Sequence, residues 1–130
     1  MREASNGKIK FWIEDGILFN KVIENDILLD IPMCKEIVEL RHKISEGKPQ
    51  YFLYDMGNLK DFTTESKNYF AIYGQEYIHT AAVLVHSRFQ KFSINLWIKI
   101  KKPKVPMRIF TSKEEALHWL KTQKKKNETT

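Results

Sequence analysis

The chain has 130 residues, 42% of them hydrophobic, which is enough for one folded core, too short for two domains and too apolar for a globally disordered chain. The opening "MREASNGKIK" lacks an apolar signal region and no apolar run reaches membrane-spanning length, while the single cysteine, Cys34, excludes an internal disulfide; the expected setting is a reducing cytoplasm. The formal net charge is +6, yet residues 99–104 and 121–126 each hold four lysines, and without those eight the charge is −2: a mildly acidic body with two basic spots.

In chain order, "KIKFWIE" and "ILFNKVI" are rich in β-forming residues and flank Asp15-Gly16, which predicts a tight hairpin over residues 8–14 and 17–23. The period then changes. Asp30 can cap a helix whose first turn suits Pro32, with Met33, Cys34, Ile37, Val38, Leu40 and Ile44 on one arc, ended by Gly47 and Pro49. "YFLYD" alternates too little for a solvated face, which predicts a central strand. A second helix starts near Thr63 or Thr64, "TAAVLVH" is a buried strand, and Ser87 caps a third helix running to about Ile100. "VPMRIFT" is a strand that Pro106 places at a sheet edge, and Ser112 with Glu115 forms the capping box of a fourth helix. The expected domain spans residues 8–122, with 1–7 and 123–130 as flexible termini. The predicted order is β-β-α-β-α-β-α-β-α: an α/β fold with a mixed sheet of about five strands, right-handed crossovers and about four helices.

In an open sheet of this kind, ligand crevices form at the carboxyl ends of the parallel strands. That edge gathers Asp55, Asn58 and His86 with the helix starts Ser87, Arg88 and Ser112, a candidate rim for an anion or a partner. Arg41 falls inside the apolar arc of the first helix, where a guanidinium needs an acceptor; Asp55 and Glu65 are the expected partners. In the third helix Phe89, Phe92, Leu96, Trp97 and Ile100 form the expected core face, leaving Ile94 and Ile98 opposite as a candidate self-association or partner surface. Lys99, Lys101, Lys102 and Lys104 complement a helix end and offer weak contact to an anionic membrane; nucleic acid is not expected, because stacking aromatics are not interleaved with them. His42, His79, His86 and His118 have no metal-ligand spacing, no glycine-rich phosphate loop or nucleophile elbow is present, and neither a cofactor nor enzymatic activity is expected.

Four stretches, "IPMCKEIVELR", "YFLYDMGNLKDFTTES", "AAVLVHSRFQKFSINLWI" and "VPMRIFTSKEEALHWL", in that order and spacing, resemble the SpoIIAA-like (STAS/CRAL-TRIO-like) superfamily, in particular small bacterial STAS-like proteins. The resemblance implies a mixed sheet with helices mainly on one side, and a binding or regulatory role. Anti-sigma-factor antagonists of the superfamily carry a phosphorylated serine at the start of the helix after the central strand. In "DFTTES" Thr64 falls closest to that position, making Thr63 and Thr64 a candidate phospho-switch, although the helix cap alone explains one threonine. The resulting expectation is a non-enzymatic module of bacterial signalling that binds a protein partner, a second copy or a small ligand. The alternative is a lipid- or membrane-surface-associated module of the same fold.

Overall fold

The structure, a computed structural model, describes residues 2–23, 28–57, 59 and 61–128. Strands β1 (Arg2–Ser5), β2 (Ile9–Glu14) and β3 (Ile17–Val22) are followed by the short β4 (Leu28–Leu29) and helix α1 (Ile31–Ser45). Then come β5 (Gln50–Asp55), the short β6 (Asp61–Phe62), α2 (Thr64–Tyr73), β7 (Ile78–Leu84), α3 (Arg88–Lys101), β8 (Met107–Phe110) and α4 (Lys113–Glu128). Six strands form one sheet in the order β1-β2-β3-β5-β7-β8. The first three run antiparallel, and β3, β5, β7 and β8 run parallel.

Local chemistry accounts for the elements. Asp15 and Gly16 both take positive φ, 52° and 75°, as a two-residue hairpin between right-twisted strands requires. The Asp30 side chain accepts from Met33 N at 3.1 Å to open α1, and Glu46 in the left-handed region (φ 53°) closes it before Gly47. β5 is central, as its unbroken apolar run predicts, and β8 is an edge strand, as Pro106 predicts.

The sheet is covered on both faces. Leu18 and Phe52 point toward Cys34, Ile37 and Ile44 of α1 and Ile94 of α3; Ile17, Phe19 and Leu53 point toward Ala116 and Leu120 of α4. Three helices thus lie on one face and one on the other.

Two boundaries differ from expectation. Residues 2–5, expected as a flexible terminus, add the sixth strand: Asn6 Oδ1 accepts from Lys8 N and Ile9 N, both at 2.9 Å, and folds β1 back onto β2. At the other end α4 continues through the lysines expected to fray, as far as Glu128.

Candidate functional site

The parallel strands end in step, with Asp55 paired to Leu84 and Leu84 to Phe110. Their carboxyl ends therefore form the shared lip that the sequence predicts, and α2, α3 and α4 all start from it. Asp55 and His86 meet there, with His86 Nε2 2.6 Å from Asp55 Oδ1. The same Oδ1 accepts from Gly57 N at 2.9 Å, which shapes the turn after β5.

Two of the other rim residues, Ser87 and Ser112, are committed to the backbone. Ser87 Oγ accepts from Gln90 N at 3.0 Å and Ser112 Oγ accepts from Glu115 N at 3.3 Å; both are helix caps. Arg88 is exposed, and Asn58 lies outside the described residues. Two residues that the sequence reading passed over hold the lip together. Asn20, buried, donates from Nδ2 to Asp55 O (3.1 Å) and accepts at Oδ1 from Asp55 N (2.8 Å). Gln90, also buried, accepts from His86 N at 2.7 Å and donates to Gly57 O and Leu59 O at 3.0 and 3.2 Å. A lone asparagine inside "ILFNKVI" is the signal for the first, since asparagine is depleted in strands unless its side chain replaces a ladder bond.

Thr63 and Thr64 divide their roles. Thr63 caps α2, its Oγ1 accepting from Ser66 N at 3.2 Å and lying 2.8 Å from Ser66 Oγ. Ser66 is buried and donates to Leu29 O at 2.9 Å. Thr64 is exposed in the first turn of the helix, so of the two threonines it is the one facing solvent.

Arg41 is at the opposite end of the sheet, which corrects its expected pairing with Asp55 or Glu65. It sits near the C-terminus of α1, and α1 runs away from the lip. Arg41 is 4% exposed; Nη1 donates to Gly74 O at 2.7 Å and Nη2 to Glu76 O at 3.0 Å, clamping the connection between α2 and β7. Its Nε is buried without a hydrogen-bond partner, and it makes no ion pair among the described residues. Burial lowers its pKa to about 10.

Arg41 borders a cavity of about 90 Å³ between the sheet and the three helices, lined mostly by aromatic and aliphatic side chains, among them Phe52, Phe70, Ile94 and Met107. Tyr54 lines it as well, and desolvation pushes its phenol above the ordinary range, so it is a neutral donor.

The third helix is turned over relative to expectation. Ile94 is 6% exposed and Ile98 packs against the same core, so neither forms an outer interface. Their side of α3 carries Trp97, whose Nε1 donates to Lys67 O at 3.1 Å, and Gln90. Of the five residues expected inside, only Trp97 is turned inward, and the other four face out: Phe89 is 56% exposed, Phe92 66%, Leu96 45% and Ile100 63%. Lys99, Lys101, Lys102 and Lys104 are exposed at the end of α3 away from the lip, and Lys101 Nζ bonds Asn68 Oδ1 on α2. Lys102 caps the helix in the left-handed region, φ 47°. Among the described residues no group of three His, Cys, Asp or Glu side chains could hold a metal, and no helix is long and apolar enough to cross a membrane.

No curated protein matches the sequence. A solved structure of an uncharacterised protein of the DUF3478 family with a SpoIIAA-like fold, from Shewanella loihica PV-4, is similar at 16% identity with a TM-score of 0.65, over 90% of this chain and 97% of that one. That likeness and the mixed six-stranded sheet establish a SpoIIAA-like fold. A family model described as a domain of unknown function, DUF7793, matches residues 11–124, nearly all of the folded unit, and the chain belongs to that family.

Proposed function

We propose that the protein is a binding module rather than a catalyst, and that its working surface is the outer face of α3, which docks on an anionic membrane surface. The observation that carries this reading is the row of exposed large side chains Phe89, Phe92, Leu96 and Ile100 on a helix already packed by its other side. Soluble single domains rarely leave such a row to water without a use for it. Helical spacing puts the exposed Arg88, Lys91, Lys99 and Lys102 along one flank of that row, and α3 contains no acidic residue. Aromatic and aliphatic side chains beside a basic ridge are the pattern of a helix lying in the bilayer interface. Each basic residue near an anionic surface adds about 1 kcal/mol, and the apolar row supplies the insertion. Pairing two copies antiparallel through this face sets lysine against lysine, which disfavours that homodimer.

Co-sedimentation with phosphatidylcholine vesicles, with and without phosphatidylglycerol, tests the reading. The expected result is binding only to the anionic vesicles, weakened by salt and reduced at least tenfold by Phe92→Ser with Leu96→Ser or by Lys99→Glu with Lys102→Glu. Binding indifferent to lipid charge, or none, overturns it. A concentration-dependent dimer abolished by the serine pair transfers the surface to a second copy.

A further inference from the structure

The cavity under α2 and α3 lies on the inner side of these helices, away from the row that faces out. It contains a buried cation that no carboxylate among the described residues pairs with directly, Glu76 acting on it only from beyond ion-pair distance. Arg41 donates two of its guanidinium nitrogens to carbonyls, keeps Nε buried without a partner, and meets no carboxylate within ion-pair distance among the described residues. Carbonyl oxygens satisfy hydrogen bonds but do not neutralise the charge, and a buried unpaired cation is among the most costly features a core can hold. The remaining wall is apolar apart from Tyr54, Gly74 and Gln75. Gln75 is already occupied: its Oε1 accepts from Lys104 N at 2.7 Å and Val105 N at 3.2 Å, and its Nε2 donates to Ala71 O at 2.9 Å. The polar groups left for a guest are therefore the guanidinium of Arg41, which can only donate, and the phenol of Tyr54, which can donate its O–H.

We propose that this cavity is a binding site for a small apolar carboxylate, its carboxyl group against Arg41 and Tyr54 and its hydrocarbon body among Phe52, Phe70, Ile94 and Met107. The size class follows from the volume: about 90 Å³ is smaller than the ~150 Å³ of an apolar cavity that holds one benzene, which points to a short straight-chain or branched acid of a few carbons and excludes a long acyl chain. A carboxylate is favoured over phosphate because the wall offers few donors and much apolar surface, and a dianion would stay under-solvated there. The site requires no membrane and stands independently of the role assigned to the outer face of α3.

Isothermal titration in vesicle-free buffer, with propionate and isobutyrate against propionamide and isobutyramide, tests the proposal. These pairs have nearly the same shape and differ in charge. The expected result is binding of at least one acid, at least tenfold tighter than its amide. Ala81 is buried in the cavity wall, so Ala81→Leu fills the space without touching the guanidinium and is expected to abolish binding while thermal unfolding stays cooperative. Arg41→Gln is expected to remove the preference for acid over amide, and if that variant does not fold, the Ala81→Leu comparison still decides. No acid binding, amides binding as tightly as acids, or acid binding unchanged by Ala81→Leu each overturns the proposal.

Discussion

Asn20 shows how one side chain can complete a sheet. Backbone pairing between β3 and β5 covers Ile17, Leu18 and Phe19 opposite Tyr51, Phe52 and Leu53, and the asparagine amide then takes up both the N–H and the C=O of Asp55. It continues the ladder to the lip, where Asp55 meets His86. Asn20→Ala leaves two partly buried backbone groups without partners, at about 1–3 kcal/mol for each fully buried one, so the expected loss in urea unfolding is roughly 2 kcal/mol or more. A loss within experimental error would mean that water replaces the amide. His42 carries a pH dependence. Its pKa lies below the ordinary 6.5, first because burial disfavours the imidazolium and second because Arg41 is a like charge nearby, with Glu76 acting the other way. The unfolded chain therefore binds the proton more readily. The stability contributed by the neutral imidazole is complete above the unfolded value and is lost as pH falls through it toward the folded value. Urea midpoints should drop between about pH 8 and about pH 5. His42→Phe, which keeps an aromatic ring edge-on to Tyr77, should flatten that part of the profile.

At the scale of the element, α3 shows where sequence patterning stops being informative. The amphipathic rule assumes that one face of a surface helix is polar. In "RFQKFSINLWIKIK" both sides are apolar, and the larger residues, Phe89 and Phe92, invite the assignment to the core. Ile94 and Ile98 pack with Val105, Met107, Phe11, Phe52 and Phe70 in one core, and Phe89 and Phe92 are left outside. The outcome is measurable as stability: Ile94→Ala should cost about 2–5 kcal/mol as a core truncation. Phe92→Ser should change stability by no more than about 0.5 kcal/mol, because its ring is already in water. Equal costs would return Phe92 to the core. Helix starts were legible throughout, since Asp30, Thr63, Ser87 and Ser112 each cap the helix that the spacing assigns to it. The first strand was legible only in its turn: Asn6-Gly7 is a hairpin signal, but Arg2, Glu3, Ala4 and Ser5 include no β-branched or aromatic residue, and pairing with β2 overrides their propensity. Arg41 was legible as a buried charge but not in its partners, because main-chain carbonyls from a loop more than thirty residues away leave no side-chain pattern in the sequence.

At the scale of the molecule, the division of helices three to one leaves the second face of the sheet dependent on a single element. Ile17, Phe19, Leu53, Ala82 and Leu84 are buried only with the help of Ala116, Leu117, Trp119 and Leu120 from α4. α4 ends the described chain and could be mistaken for an appendage because ten of its sixteen residues are charged or amide. Its apolar side says otherwise. Ala116 and Leu120 have no accessible surface, and the Trp119 ring lies 5.6 Å from that of Phe110 on the edge strand. Fully burying a leucine-sized side chain contributes about 1.5–3 kcal/mol, and domains of this size are stable by only about 5–15 kcal/mol in total. Leu120→Ala should therefore cost about 2–5 kcal/mol in urea unfolding. Removal of residues 112–130 should go further. The sheet would then present a bare apolar face while α1, α2 and α3 still covered the other, so secondary structure would persist without a cooperative transition and the dye ANS would bind. A truncated chain that unfolds cooperatively, with a midpoint near that of the whole protein, would show that the three-helix face alone specifies the fold.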